Sequence, residues 1–282
     1  MKILLKASLA MILGIFLFSC GQSKSTIQAD DTLDRIRQTG VIDACTIIQP
    51  PLVIKDSKTG ALSGVFVDAM NLIAEKMNAK IHWHETTFGN ATAELSSQHC
   101  DIAVAALFST ISRAEVVAFT EPPILYNGLS AIIRKNNPLA LKAKNILDFD
   151  KPGIIVSVAT GSAGDTFAQE VFKKATLKKI DAEASDVARN LIEVSANRAD
   201  IAIFSADVCE PYAKAHPEVT VLFRNPPISI NPVSWAVRQT DFKWLHFMET
   251  ALQFLDTQGT LDQLEKKYHA HYIRLVKQYR LQ

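Results

Sequence analysis

The sequence predicts an α/β fold in two lobes, each a mostly parallel sheet covered by helices, with two strands that cross between the lobes. Short β-branched runs alternate with helical patterns along the chain, which is typical of parallel sheets flanked by helices. This alternation comes in two series, separated by a chain break at Asn136-Asn137-Pro138 and followed by a return segment. The roughly 250 residues beyond the N-terminal leader are enough for two lobes of ordinary size.

The individual elements follow from local periodicity. β-branched runs predict the strands, and apolar residues at helical spacing predict the helices between them. Gly60 closes a polar run that predicts a hairpin turn, because glycine takes a positive φ without strain. The first series comprises strands 41–47, 80–85, 101–106 and 129–134 and helices 66–77 and 91–98. The second comprises strands 154–158, 177–181, 200–204 and 219–223 and helices 162–175, 185–197 and 207–215.

The C-terminal segment predicts how the lobes are connected. An extended stretch over 229–237 precedes two helical patterns, at 242–257 and 260–269. A return to the first lobe requires two crossings, which we expect near 131–135 and 230–237. The predicted domains are residues 32–133 with 236–282 for the first lobe and residues 134–235 for the second. Clefts between lobes commonly bind small ligands.

The N-terminus is expected to lie outside this fold. A cationic start precedes an apolar run over 7–18, which is shorter than the roughly 20 residues of a membrane-spanning helix and predicts a signal peptide over 1–19. The run ends Leu17-Phe18-Ser19-Cys20, which resembles a bacterial lipobox. This resemblance implies a lipidated Cys20 and a polar tether over 20–31. An ordinary cleaved signal peptide is the alternative, and either one predicts export, to the periplasm or the cell surface.

The composition excludes several classes of function. The 30 basic and 29 acidic residues are spread along the chain and give a net charge of +1, so no basic stripe indicates nucleic-acid binding. Two His-x-His pairs, His82 with His84 and His269 with His271, lack the further ligands that a metal site needs. We therefore predict no metal and no cofactor, and we expect a monomer.

Cysteine usage leaves one question open. Beyond the leader, the chain has Cys45, Cys100 and Cys209 and no Cys-x-x-Cys pair. An odd number leaves at least one free thiol even in an oxidising compartment. The sequence does not decide whether any of the three form a disulfide.

Several motifs, in order along the chain, resemble the family 3 extracellular solute-binding proteins, the amino-acid-type receptors of ABC importers. The resemblance covers about residues 33–268, nearly the whole mature chain. Its motifs are Leu33-Asp34-Arg35-Ile36, Pro50-Pro51, Gly64-Val65-Phe66-Val67-Asp68, Cys100-Asp101-Ile102-Ala103, Thr110-Ile111-Ser112-Arg113, Phe119-Thr120-Glu121-Pro122, and Gln258-Gly259-Thr260-Leu261 with Tyr268. It implies a type II periplasmic-binding-protein fold, a small solute with a carboxylate, and an ABC permease as partner.

The resemblance also implies which residues bind the solute. Arg113 occupies the position of the arginine that holds the ligand carboxylate, which its planar guanidinium fits with two parallel hydrogen bonds. Ser162 lies in a glycine-rich turn that faces the ligand in this family. Independently of the family, Ser162 and Asp165 resemble a helix-capping box.

Other positions depart from the family pattern. Ser205 stands where the family has an ammonium-binding aspartate, and Asp207 follows two residues later. A buried ammonium without a carboxylate partner is costly, so Ser205 favours a solute that lacks an α-amine. The candidate ligand-contacting residues are Arg113, Ser162, Phe108, Phe88, Gln49, Thr46, Ser205 and Asp207.

Two other classes of function remain open. A periplasmic cyclohexadienyl dehydratase uses the same fold, but it needs a carboxyl group where this chain has Val208, and Glu210 is expected to point elsewhere. A receptor for a membrane sensor, or an interaction module with a degenerate cleft, would share the fold without feeding a permease. We therefore predict a binding protein without catalytic residues.

Overall fold

The structure is a computed structural model that describes residues 31–181, 188–270 and 272. The predicted signal peptide, Cys20 and His271 lie outside the described residues. The helices are α1 Thr32–Thr39, α2 Val65–Lys76, α3 Ala91–Ser96, α4 Ile111–Ala114, α5 Ala163–Val171, α6 Arg189–Ser195, α7 Ala206–Ala215, α8 Phe242–Thr257 and α9 Thr260–Lys267. The strands are β1 Val41–Thr46, β2 Ile54–Lys55, β3 Leu62–Ser63, β4 Lys80–Glu85, β5 Ile102–Phe108, β6 Val117–Phe119, β7 Leu125–Arg134, β8 Ile155–Ala159, β9 Thr176–Ile180, β10 Ile201–Ser205, β11 Val219–Leu222 and β12 Ser229–Arg238.

The sheets have the alternating α/β organisation that the sequence predicts. One path runs β4-β1-β5-β12-β7-β10-β8-β9, with β6 beside β12 and β11 beside β7. Strands β4, β1 and β5 are parallel at one end, and β10, β8 and β9 are parallel at the other. Strands β7 and β12 are antiparallel to their neighbours and connect the two ends. The small hairpin of β2 and β3 has Gly60 in its turn at φ 73°, as predicted.

Burial explains the place of each strand in the sheet. All residues of β5 and of β10 are buried, as expected for central strands covered on both faces. Strands β4 and β9 lie at the two ends of the path and have no fully buried residue. The apolar runs of the sequence therefore predict which strands are central.

Each of the two crossing strands, β7 and β12, changes its pairing partner along its length. Residues 125–129 of β7 pair with β12, whereas residues 129–133 pair with β10. Residues 229–233 of β12 pair with β7, residues 233–237 pair with β5, and residues 236–238 also pair with β6. The first crossing therefore lies upstream of the expected 131–135, because β7 continues through both lobes with no break that a local pattern would show. The domain limits at 133/134 and 235/236 stay a prediction.

Helices α3, α5, α6 and α9 end two or more residues earlier than predicted, and the structure explains the end of α5 most directly. Helix α5 ends at Val171 instead of residue 175, because the Asp150 carboxylate accepts hydrogen bonds from the backbone amides of Lys173, Lys174 and Ala175. These contacts hold the three amides away from helical hydrogen bonding. Helix α9 ends at Lys267, two residues before His269 takes a positive φ of 53°.

The described cysteines form one disulfide and leave one buried free thiol. Cys45 of β1 is bonded to Cys100, which precedes β5. Cys209 of α7 is a fully buried free thiol, and burial raises its pKa. Within the described ranges, no helix combines the length and the apolar character needed to cross a bilayer.

Candidate functional site

Arg113 lies where β5 leaves the sheet. The Thr110 hydroxyl accepts a hydrogen bond from the Arg113 amide at 3.4 Å and starts the short helix α4. This cap turns the chain so that the guanidinium reaches the second lobe. It donates to the carbonyl oxygen of Phe108 at 3.0 Å and to that of Gly161 at 2.9 Å.

No acidic side chain in the described part of the chain pairs with the Arg113 guanidinium. Both of its guanidinium hydrogen bonds go to neutral main-chain carbonyls. Burial lowers the pKa of Arg113 to about 10, so the side chain remains a cation at neutral pH. A buried cation with only neutral partners is a favourable position for an anionic group.

Ser162 begins helix α5 on the opposite side of the cleft. Its hydroxyl accepts a hydrogen bond from the Asp165 amide at 3.2 Å, which confirms the predicted N-cap. The return bond of a capping box is absent here, because the Asp165 carboxylate accepts from the Gly161 amide instead, at 3.0 Å. The turn is therefore held from both sides, and Ser162 faces the cavity with the first residues of α5.

A third group of contacts joins the lobes through Gln49. Its amide nitrogen lies 3.1 Å from Oδ2 of Asp207 and 3.4 Å from the Ser205 hydroxyl. Asp207 stands in the first turn of α7, and Tyr272 also donates to its Oδ2, at 3.0 Å. The other oxygen of this carboxylate, Oδ1, is buried and lacks a hydrogen-bond partner among the described residues.

Two main-chain turns meet directly between the lobes. Gly161 has φ 71°, and a Cβ atom placed on it would lie 2.5 Å from Cα and 2.8 Å from the amide nitrogen of Gly89. Nearby, the rings of Phe88 and Phe204 meet edge to face, with centroids 6.0 Å apart. The lobes therefore contact one another closely through both main-chain and side-chain atoms.

These residues enclose a small cavity. Its volume is about 20 Å³, close to the space that one water molecule needs. A larger solute therefore enters only when the lobes move apart. The lining residues are Gln49, Phe88, Ala106, Phe108, Arg113, Leu129, Ser162, Ala163, Gly164, Phe204 and Ser205.

The structure brings six of the eight candidate residues to this cavity. Thr46 is not among them, because its hydroxyl donates to the carbonyl oxygen of Val104 at 2.7 Å within the first lobe. Asp207 lies beside the cavity and reaches it through Gln49. Sequence reasoning missed Tyr272 and the contact between Gly89 and Gly161, since both depend on residues distant along the chain.

A larger open groove, about 790 Å³, lies elsewhere on the first lobe. Both arginines of this groove, Arg35 and Arg238, pair with Asp101. The Arg238 side chain is only 8% exposed and also donates to the carbonyl oxygen of Cys100 at 2.8 Å. This groove supports the fold near the disulfide and is a weaker candidate for a binding site.

A two-lobed α/β fold with a buried arginine between its lobes is typical of the periplasmic-binding-protein class. The chain belongs to the bacterial extracellular solute-binding proteins, family 3, whose family model matches residues 42–271. This membership confirms the predicted family and its type II fold, and it implies an exported protein.

Known proteins of two kinds are similar to this chain. It is 24% identical to the probable amino-acid-binding protein YxeM of Bacillus subtilis, covering 89% of each chain. It is 22% identical to the cyclohexadienyl dehydratase of Pseudomonas aeruginosa, covering 80% of this chain and 85% of the enzyme. The crystal structure of the ancestral amino acid-binding protein AncCDT-1, a precursor of cyclohexadienyl dehydratase, superposes with a TM-score of 0.74 at 27% identity over 84% of this chain and 99% of that one.

Proposed function

We propose that this chain captures a small solute with a carboxylate group, an amino acid or a related organic acid, and delivers it to an ABC permease. The observation that carries the proposal is Arg113, a buried cation whose only bonds in the described residues go to neutral carbonyls at the boundary of the lobes. A solute carboxylate would replace the Gly161 carbonyl with a charged acceptor, and such charge-assisted hydrogen bonds are roughly twice as strong as neutral ones.

The surroundings of Asp207 favour a solute that also carries an amine. Ser205 at the family's aspartate position favours a solute without an amine, whereas Asp207 brings a carboxylate to the same end of the cleft. A buried carboxylate oxygen without a partner is costly, and a solute ammonium would supply its missing donor. The structure therefore supports an amino acid over a simple organic acid.

Closure of the lobes on the solute completes the proposed mechanism. The cavity of about 20 Å³ requires opening for entry, and Arg113 and Ser162 then approach the solute from opposite lobes. A solute that contacts both lobes binds the closed form better and shifts the population towards it. The permease would recognise the closed form.

A thermal-shift screen of the mature chain tests the proposal. The panel contains the common amino acids and, for each one that raises the melting temperature, the analogue without its carboxylate and the analogue without its amine. We expect stabilisation by an amino acid, loss of the effect without the carboxylate, and a smaller effect without the amine. A panel on which the carboxylate-free analogue binds equally well would refute the role of Arg113.

A matched pair of variants locates the site. Arg113→Lys keeps the positive charge but loses the planar fork, and we expect binding at least tenfold weaker by calorimetry. Arg134→Lys is the control, because Arg134 also donates to a carbonyl, that of Val194 at 3.0 Å, but does not line the cavity. Equal binding by wild type and Arg113→Lys would place the site elsewhere.

The lipid anchor belongs to the same proposal. The leader predicts that Cys20 is lipidated, so that Cys20→Ser expressed with its leader should move the protein from the membrane fraction to the soluble fraction. Metabolic labelling with palmitate checks the modification directly. A variant that remains in the membrane fraction would contradict the anchor without touching the proposed binding site.

A dehydratase is the second candidate, because the Pseudomonas aeruginosa enzyme is a relative of this chain. The site argues against it: Val208 is a buried apolar residue, and the Glu210 carboxylate faces away to Arg224, at 2.9 Å. Ultraviolet measurement of prephenate turnover by the purified protein distinguishes the two candidates. Turnover would overturn the binding-protein proposal.

A further inference from the structure

Beyond α9, the described residues Ala270 and Tyr272 pack against the first lobe beside the cleft. The Ala270 amide donates to the carbonyl oxygen of Glu265 at 2.8 Å, and Ala270 is buried in the core of the first lobe. Tyr272 packs partly against the same core. The ring of Tyr272 is therefore held by the first lobe.

The hydroxyl of Tyr272 reaches the second lobe. It donates to Oδ2 of Asp207 at 3.0 Å, and Asp207 belongs to α7. Burial, together with the charges of Asp207 and Glu265, raises the pKa of Tyr272, so the phenol keeps its proton and remains a donor. The bond is therefore a charge-assisted contact between two elements that lie on different lobes.

Tyr272 and Gln49 act on the same oxygen of Asp207. The Gln49 amide nitrogen lies 3.1 Å from Oδ2, so two donors from the first lobe hold one oxygen of a carboxylate from the second. The remaining oxygen, Oδ1, stays buried and without a partner in the described residues. This arrangement fixes the orientation of Asp207 at the edge of the cavity.

We propose that Tyr272 is a positioning residue that spans the cleft: it fastens the Asp207 carboxylate to the first lobe and thereby favours the closed form. The proposal depends on the two-lobed fold and on this contact, and not on the identity of the solute. Hydrogen bonds to charged groups contribute about 1.5–3 kcal/mol, so removing the hydroxyl should lower the ratio of closed to open protein about tenfold or more.

Tyr268, four residues before Tyr272, provides a matched control. The hydroxyl of Tyr268 donates to Oδ2 of Asp68 at 2.8 Å, and both residues belong to the first lobe. Tyr268→Phe therefore removes a tyrosine–aspartate hydrogen bond of similar length that does not cross the cleft. If the Tyr272 hydrogen bond only stabilised the fold and had no effect on closure, the two substitutions should have the same effect.

Small-angle X-ray scattering of the mature chain without added solute tests the proposal. We expect Tyr272→Phe to have a larger radius of gyration than wild type, and Tyr268→Phe to keep the wild-type value. In an Asp207→Ala background, Tyr272→Phe should cause no further expansion, since its acceptor is gone. A Tyr272→Phe curve that superposes on wild type, or equal expansion of both tyrosine variants, would overturn the proposal, whatever the screen for solutes finds.

Discussion

Replacing Gly161 by alanine should disfavour the closed arrangement of the lobes. A Cβ atom at this position would lie 2.5 Å from Cα of Gly89, whereas carbon atoms in contact are about 3.5–4.0 Å apart. The overlap of about 1 Å is with main-chain atoms, which no side-chain rotation can relieve. The clash exists only when the lobes meet, so the substitution acts selectively on the closed form.

The magnitude follows from two separate costs. The positive φ of Gly161 costs an alanine about 1–2 kcal/mol in both the open and the closed forms. The overlap with Gly89 adds about 1–3 kcal/mol to the closed form alone, by analogy with overpacked cores. Because every 1.4 kcal/mol is a factor of ten, the closed population and the apparent affinity should fall about 5- to 150-fold.

Gly153→Ala separates these costs. Gly153 also has a positive φ, of 85°, but a Cβ atom there would meet nothing within 4 Å. Both variants should therefore lose similar stability, whereas only Gly161→Ala should bind more weakly and show a larger radius of gyration in scattering. Calorimetry with the best amino acid from the screen measures the affinity. Equal affinities for the two alanine variants would refute the reasoning.

Two further predictions concern stability. The Glu193 carboxylate is only 11% exposed and accepts hydrogen bonds from Arg198. These hydrogen bonds, together with one from Lys178, lower the pKa of Glu193 from 4.5 to about 2. The stabilising effect of the Glu193 carboxylate is therefore complete above pH 4.5 and is lost as the pH falls towards 2. Glu193→Gln should lower the free energy of unfolding by about 1–3 kcal/mol at pH 7 and by almost nothing at pH 2. Urea titrations at the two pH values measure this difference. Reducing the Cys45–Cys100 disulfide, which closes a loop of 55 residues, should lower the free energy of unfolding by up to about 4 kcal/mol. Reduction of the Cys209→Ala variant controls for any effect of the buried thiol. An unchanged unfolding midpoint after reduction would contradict the estimate.

The sequence predicts elements well where the pattern is local. Strand Lys80–Glu85 and helix Phe242–Thr257 have the predicted limits, because periodicity and flanking residues define them. Helix α5 is shorter than predicted, because Asp150, distant in sequence, takes three amides beyond its end. Local patterns contain no information about such a contact.

The candidate site likewise has a part that local motifs predict and a part that depends on contacts between distant residues. The position of Arg113 in a motif predicted its place in the cleft, and the structure places it beside the second lobe. Asp207 was among the candidates, but its hydrogen bond with Tyr272 could not be predicted, since it joins residues that are distant along the chain. The same holds for the contact of Gly89 with Gly161.

The position of β12 has a consequence for the order in which the molecule folds. This strand comes near the end of the chain, yet it lies between β5 and β7 in the middle of the sheet path. Strands β7 to β11 can assemble from one continuous stretch. The sheet containing β1, β4 and β5 instead pairs with a strand about 130 residues further on, and such distant pairings form slowly. The first half of a nascent chain therefore lacks one strand of its own sheet until nearly the whole polypeptide has been made, and we expect this to delay the folding of the first lobe.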